Sequence, residues 1–220
     1  MYKPLDIPPA QPVSLEAKKT ALMIVDMQND YCMREGKAFS PEYETVIAPI
    51  QALLVNSKRN GMPVIYTQNW LTDPEGYWSE AYKRGETVIP VHCLQNTWGA
   101  HIIEELKPEG EDYVIRKTHY NMFLGALRQE ADEAMKRFKT THAAVETFIV
   151  TGLDANVCVF FNSDSLYSLG YRVVLPLDCI GGSPTFRGEK ADVGYDHSIW
   201  FLSRLNGATV TSSELLALRP

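Results

Sequence analysis

The sequence predicts a single-domain, three-layer α/β/α fold built on a six-stranded, mostly parallel sheet. Two observations carry this. Short apolar or β-branched runs alternate with longer stretches of helical periodicity, the signature of parallel strands joined by crossover helices. The strand-like runs around 20–25, 113–117 and 148–151 are each closed, directly or after a glycine turn, by a residue capable of chemistry: Asp26, Lys117 and Cys158. In an open parallel sheet, ligands bind outside the carboxyl ends of the strands.

Taken in order, Met1-Tyr2-Lys3-Pro4 opens a proline-rich arm, 1–19, expected to be extended and lacking the apolar core of a signal peptide. The domain is expected over 20–220. Thr20 to Val25 form the first strand. Val46, Ile47, Ile50, Leu53 and Leu54 recur at helical spacing within 43–60, and Gly61 stops that helix. A second strand is expected over 62–67. The insertion 68–96 is rich in Trp, Tyr, Gly and Pro, and a loop of that length in a compact domain is usually functional. A helix is expected over 98–106, then a strand at Tyr113 to Lys117, a charged surface helix over 127–139 and a central strand over 148–151. Helix 157–169 ends at Gly170. Strand 171–177, helix 190–205 and strand 208–211 complete the chain. A strand order of 3-2-1-4-5-6 would put the first and fourth strands at the centre, with Asp26 and Cys158 facing each other where the crossover direction reverses.

Composition narrows the function classes. A chain of 220 residues can bury one sizeable core. Its net charge of −6 and dispersed basic residues give no nucleic-acid surface, and no apolar run approaches the length of a membrane span. Four cysteines, at 32, 93, 158 and 179, have neither disulfide-framework nor metal-knuckle spacing, as expected of reduced thiols in a cytoplasmic protein.

Cys158 would lie in the first turn of a helix that follows a strand, where the helix dipole favours the thiolate. A lone cysteine there is more often core filling. Asp26 alone reads as a solvated strand-end acid and Lys117 alone as a surface cation. Jointly, the three form a nucleophile, a proton acceptor and a cation that stabilises the thiolate. A Cys–His pair through His92, His101, His119, His142 or His197 has no supporting local motif.

Val25-Asp26-Met27-Gln28-Asn29-Asp30-Tyr31, Arg116-Lys117-Thr118 and Gly152-Leu153-Asp154-Ala155-Asn156-Val157-Cys158-Val159 together resemble the isochorismatase-like cysteine hydrolases, from about Thr20 onward. That family includes nicotinamidases and ureido- and biuret-type amidohydrolases. The resemblance implies the same α/β fold and an Asp26, Lys117, Cys158 catalytic set. It also implies a cis peptide bond at Leu153-Asp154, where the family often has a small Ala in place of Asp154. The oxyanion is expected on the backbone N–H groups of Asp154 and Cys158. Gln28, Tyr31, Asn69, Trp70, His119, Tyr120, Phe123 and Asn156 stand near these motifs as candidate pocket residues, though each can equally be core or supporting structure.

One part of the family pattern is broken. Its nicotinamidases hold a divalent metal with an Asp-Trp-His motif after the second strand and a later His-Cys. Here Asn69-Trp70-Leu71 occupies the first motif, while His92-Cys93 keeps the second. An amide and a leucine cannot replace a carboxylate and an imidazole at a zinc- or iron-class ion. The expectation is a cofactor-free, metal-independent cysteine amidohydrolase acting on a small amide, carbamoyl or ureido compound. Alternatives are a nicotinamidase-type amidase, an isochorismatase-type vinyl-ether hydrolase and a catalytically silent binding protein. The resemblance further implies a homo-oligomer, a dimer or tetramer. The rings of Trp70, Tyr77, Trp78 and Tyr82 have the composition of an interface core, although they could equally cover the pocket.

Overall fold

The computed structural model describes residues 14–72, 91–182, 192–205 and 207–216. Their strands are β1 (Thr20–Val25), β2 (Val64–Asn69), β3 (Tyr113–Lys117), β4 (Thr147–Gly152), β5 (Arg172–Pro176) and β6 (Gly207–Val210). They form one sheet in the order β3-β2-β1-β4-β5-β6, and each adjacent pair is parallel. This is the predicted fold class and strand order.

Alternation along β1 divides the core into two layers, because successive side chains of a strand point to opposite faces. Ala21, Met23 and Val25 join the cluster that includes Ala131, Met135 and Phe138 of helix Arg128–Thr141, Val159 and Leu166 of helix Cys158–Ser168, and Ile199 and Leu202 of helix Asp192–Leu205. Leu22 and Ile24 join the opposite cluster, with Ile50, Leu53 and Leu54 of helix Ile47–Arg59 and Leu215 of helix Ser212–Leu216. All six residues of β1 and of β4 are buried, as strands covered on both faces must be.

The helix expected over 98–106 is not formed. Two 3₁₀ turns, Trp98–Ala100 and Glu104–Leu106, flank an extended stretch. The backbone there has better partners than its own next turn. Asn29 N–H donates to His101 O at 2.9 Å, Ile103 N–H donates to Met27 O at 3.0 Å, and Gln28 bridges antiparallel to Ile102. The segment 43–60 divides into Pro41–Glu44 and Ile47–Arg59, and β2 runs on to Asn69, so Gln68 and Asn69 belong to a strand. The proposed extended arm, apart from residues 14–19, and most of the 68–96 insertion, including Tyr77, Trp78 and Tyr82, lie outside the described residues.

β1 and β4 are central, and the direction of the crossovers reverses between them. Gly152 makes their closing contact possible. Its φ is 103°, and a Cβ there would stand 2.1 Å from the Val25 carbonyl oxygen. Gly152→Ala therefore meets both an unfavourable backbone conformation and a backbone clash at the strand pair that carries the site. The expected loss is roughly 3 kcal/mol or more by urea unfolding, summing strain and overpacking. A loss below about 1 kcal/mol would show that the strand ends can separate without cost.

Candidate active site

Three strand ends converge above the sheet. Beyond β1, Asp26 takes φ 50°, a left-handed conformation that Asp tolerates better than most residues, and its N–H donates to Thr67 O at 3.1 Å. Lys117 closes the edge strand β3, yet it is fully buried. Its Nζ lies 2.6 Å from Asp26 Oδ2, and it donates to Cys158 Sγ at 3.3 Å. Cys158 is the first residue of helix Cys158–Ser168, directly beyond the loop that follows β4. Its backbone N–H is thus among the helix's first four amides, which have no acceptor within the helix.

Asp26 is held from its other side by Thr67, whose Oγ1 donates to Oδ1 at 2.8 Å. The sequence reading did not single out Thr67. The available signal was its position near the end of β2, beside β1, which places it in register with Val25. Leu153-Asp154 is cis. The Asp154 carbonyl accepts from the N–H groups of Val157 and Val159, each at 3.0 Å, and Asp154 Oδ2 accepts from Tyr43 OH at 2.9 Å. The acid that departs from the family's small residue is thus tied down by a tyrosine from outside the sheet.

Burial pushes the Cys158 thiol well above its ordinary range, Lys117 pulls it back, and Asp26 pushes it up again. This differs from the expectation that the start of a helix would favour the thiolate. The dipole acts from one end, whereas dehydration acts on the whole sulfur. Burial thus disfavours the thiolate, and the Asp26 side chain stands within hydrogen-bonding reach of the sulfur.

The candidate pocket residues separate by what their polar atoms do. Gln28 is spent on backbone: its Nε2 donates to Asn69 O and Ala100 O, at 2.8 and 2.7 Å, and its Oε1 accepts from Asn69 N–H at 2.7 Å. It staples the strand ends together. Asn69 Nδ2 donates to Tyr31 OH at 2.9 Å, and the Tyr31 ring packs edge-on against His92 with centroids 5.1 Å apart. Trp70 is half-buried under the Arg116 guanidinium, 5.0 Å from the ring centroid. His119 is exposed, and partial burial followed by the charge of Lys117 lowers its pKa. Tyr120 is pushed up to about 12, first by burial and then by Cys158, so its phenol keeps its proton. Tyr120 and Phe123 pack against the cluster that contains Cys158. Asn156 brings a buried Oδ1 that has no hydrogen-bond partner among the described residues.

Where the nicotinamidases hold metal, these residues do not fit an ion. Leu71 is buried and clipped by its backbone to Cys93 O and Gln95 N, while Asn69 is engaged with Tyr31. No group of three His, Cys, Asp or Glu side chains able to hold a metal ion occurs among the described residues.

A model of the isochorismatase domain matches residues 20–214. The chain belongs to the isochorismatase family. Within it, the nicotinamidase of Saccharomyces cerevisiae is 25% identical over 71% of this chain and 85% of its own length. The ureidoacrylate amidohydrolase RutB of Stutzerimonas stutzeri is 26% identical over 86% of this chain and 81% of its own. Among solved structures, a cysteine hydrolase from Pseudomonas syringae pv. phaseolicola superimposes with a TM-score of 0.75 at 20% identity. That alignment covers 95% of this chain and 96% of the other. At that identity the likeness establishes the fold.

The geometry assigns Lys117 a measurable effect on the thiol. Lys117→Met keeps much of the volume and removes the cation that favours the thiolate, so the alkylation profile of Cys158 should move to higher pH. An unchanged midpoint in a folded variant would make Lys117 a bystander.

Proposed function

We propose that this family member is a metal-independent cysteine amidohydrolase that cleaves the C–N bond of a small amide, carbamoyl or ureido compound. The observation that carries the reading is the buried chain of contacts from Asp26 through Lys117 to Cys158, at 2.6 and 3.3 Å, on an isochorismatase domain. The named relatives include amidohydrolases, which supports C–N cleavage as the reaction class.

Each step uses groups already in contact. The Cys158 proton passes to the Asp26 carboxylate as Sγ attacks the carbonyl carbon, forming a C–S bond and an oxyanion. The oxyanion is received by the backbone N–H groups of Cys158 and Asp154. Asp26 returns the proton to the leaving nitrogen as the C–N bond breaks, releasing ammonia or an amine and leaving a thioester. Asp26 then takes a proton from water, whose oxygen attacks the thioester; the C–S bond breaks and the thiol is reprotonated. Throughout, Lys117 holds its charge between the carboxylate and the sulfur, limiting the cost of the transient thiolate. Tyr31, Asn69, Trp70, His119, Tyr120, Phe123 and Asn156 belong to the substrate pocket in this reading. The Asn156 Oδ1, which has no partner among the described residues, is suited to accept an amide N–H from the substrate.

Two alternatives fit the residues less well. A nicotinamidase would lack the metal that grips the pyridine nitrogen, because Asn69 and Leu71 replace its ligands. A vinyl-ether hydrolase needs no thiol nucleophile, whereas here the thiol accepts a hydrogen bond from Lys117. A cytoplasmic homo-oligomer, dimer or tetramer, completes the proposal. Its support is the family resemblance, the unpaired cysteines and the exposed rings of Phe161 and Phe201. No described helix is long and apolar enough to cross a membrane.

Ammonia release from a panel of small linear amides, carbamoyl compounds and ureides tests the reaction class. At least one compound should turn over, Cys158→Ala should remove the activity while leaving the fold intact, and chelator treatment should leave it unchanged. Turnover that survives Cys158→Ala would exclude the thioester route, and loss on chelation with recovery on adding zinc, iron or manganese would revive the metal-dependent reading.

A further inference from the structure

Helix Cys158–Ser168 carries a second functional-looking feature on the face of its nucleophile. Asn162 and Ser165 follow Cys158 at i+4 and i+7, which stacks the three side chains along one side. Asn162 is fully buried and spends its whole amide. Nδ2 donates to Cys158 O at 2.7 Å and to Tyr120 O at 3.0 Å, and Oδ1 accepts from Met122 N–H at 2.9 Å. Three bonds of these kinds fix which end of the amide is which. One turn further on, Ser165 Oγ accepts from Asn121 Nδ2 at 2.7 Å. Apart from Cys158 O, the partners lie in the loop between β3 and helix Arg128–Thr141, immediately after Lys117.

That loop has no regular secondary structure to hold it. It is organised by its own polar side chains: Asn121 Oδ1 accepts from Phe123 N–H at 2.9 Å and Thr118 Oγ1 from Ala126 N–H at 3.0 Å. It begins on the edge strand β3, and β2 and β1 lie between that strand and β4, whose helix carries the nucleophile. It nevertheless reaches the helix of Cys158, with Tyr120 and Phe123 packed on the core cluster that includes Cys158 and the Tyr120 ring stacked on Phe161 at 6.2 Å. A leucine at 162 would fill similar space but leave the Tyr120 carbonyl and the Met122 N–H without these partners. Unpaired buried polar groups are costly, so the loop would lift to hydrate them.

Resting on the reading of Cys158 as nucleophile, we propose that Asn162 is a positioning residue: with Ser165 it latches loop 118–123 to the nucleophile helix, holding Tyr120 and Phe123 as the wall that keeps water from the thiol. Through that wall it sets the low-polarity surroundings in which Lys117, Asp26 and Cys158 act on one another. Tyr120, Lys117 and Asp26 are the titratable groups that face the thiol among the described residues.

The four buried cysteines provide an internal control. Iodoacetamide labelling near neutral pH, followed for each cysteine by peptide mass spectrometry, is compared between wild type and Asn162→Leu, with kcat and KM measured on a turned-over amide. Opening of the latch should accelerate labelling of Cys158 several-fold while Cys32, Cys93 and Cys179 keep their rates. It should also lower kcat roughly tenfold, more than it changes KM, as expected for loss of one to two net hydrogen bonds. Ser165→Ala should move both readouts in the same direction by a smaller factor, and it decides the matter if Asn162→Leu does not fold. Unchanged Cys158 labelling, an unchanged kcat, or acceleration of all four cysteines together would overturn the latch. Failure of the nucleophile reading looks different: wild-type Cys158 would then label no faster than the other three thiols, while the ratio of variant to wild type still judges the latch.

Discussion

The buried pair of Lys117 and Asp26 is the constraint on which the rest of the site depends. A lysine side chain with no exposure is tolerated only beside a compensating charge, and Asp26 Oδ2 at 2.6 Å provides it. Removing either partner would leave an uncompensated buried charge, at a cost of about 3–5 kcal/mol. The pair therefore ties the edge strand to the centre of the sheet, and its geometry is inherited by whatever lies beside it. Cys158 lies beside it. The same dehydration that makes the ion pair exacting pushes the thiol up, so in the proposed mechanism its proton passes to Asp26 as substrate arrives.

Several smaller devices hold this arrangement in register. Thr67 orients Asp26, Gln28 fastens β1 to β2 through backbone groups, and Tyr43 secures Asp154 in the loop before Cys158. Asp30 acts further out, accepting from Cys93 N–H at 2.6 Å and Lys37 N–H at 3.1 Å. Gly99 packs so closely on that carboxylate that a Cβ would fall 2.1 Å from Oδ2, which explains a glycine in this otherwise ordinary loop. These residues bind chain to chain.

The sheet and the meeting of Asp26, Lys117 and Cys158 were legible in the sequence because both depend on short local patterns. The apolar runs ending at Val25, Lys117 and Gly152 mark strands by composition and length, and parallel topology then brings their ends together. The segment 98–106 was misread because its apolar spacing is compatible with a helix. Its backbone instead pairs with Met27 and Asn29, some seventy residues away, and no local pattern announces that. Thr67, Gln28 and Asn162 fall in the same class. Each is a polar residue, and what it does depends on which distant group meets it. The upward push on the Cys158 thiol was hidden for a related reason: helix position is local, whereas burial is a property of the assembled fold.

The central claim is that Cys158 becomes acylated during turnover. Acid quenching of the enzyme in the steady state with the amide it hydrolyses fastest, followed by peptide mass spectrometry, measures this directly. The account predicts an added acyl mass on the peptide containing Cys158, discharged by hydroxylamine and absent when Asp26→Asn enzyme is treated in the same way. Turnover with no adduct on Cys158, or with the acyl group on another residue, would contradict it.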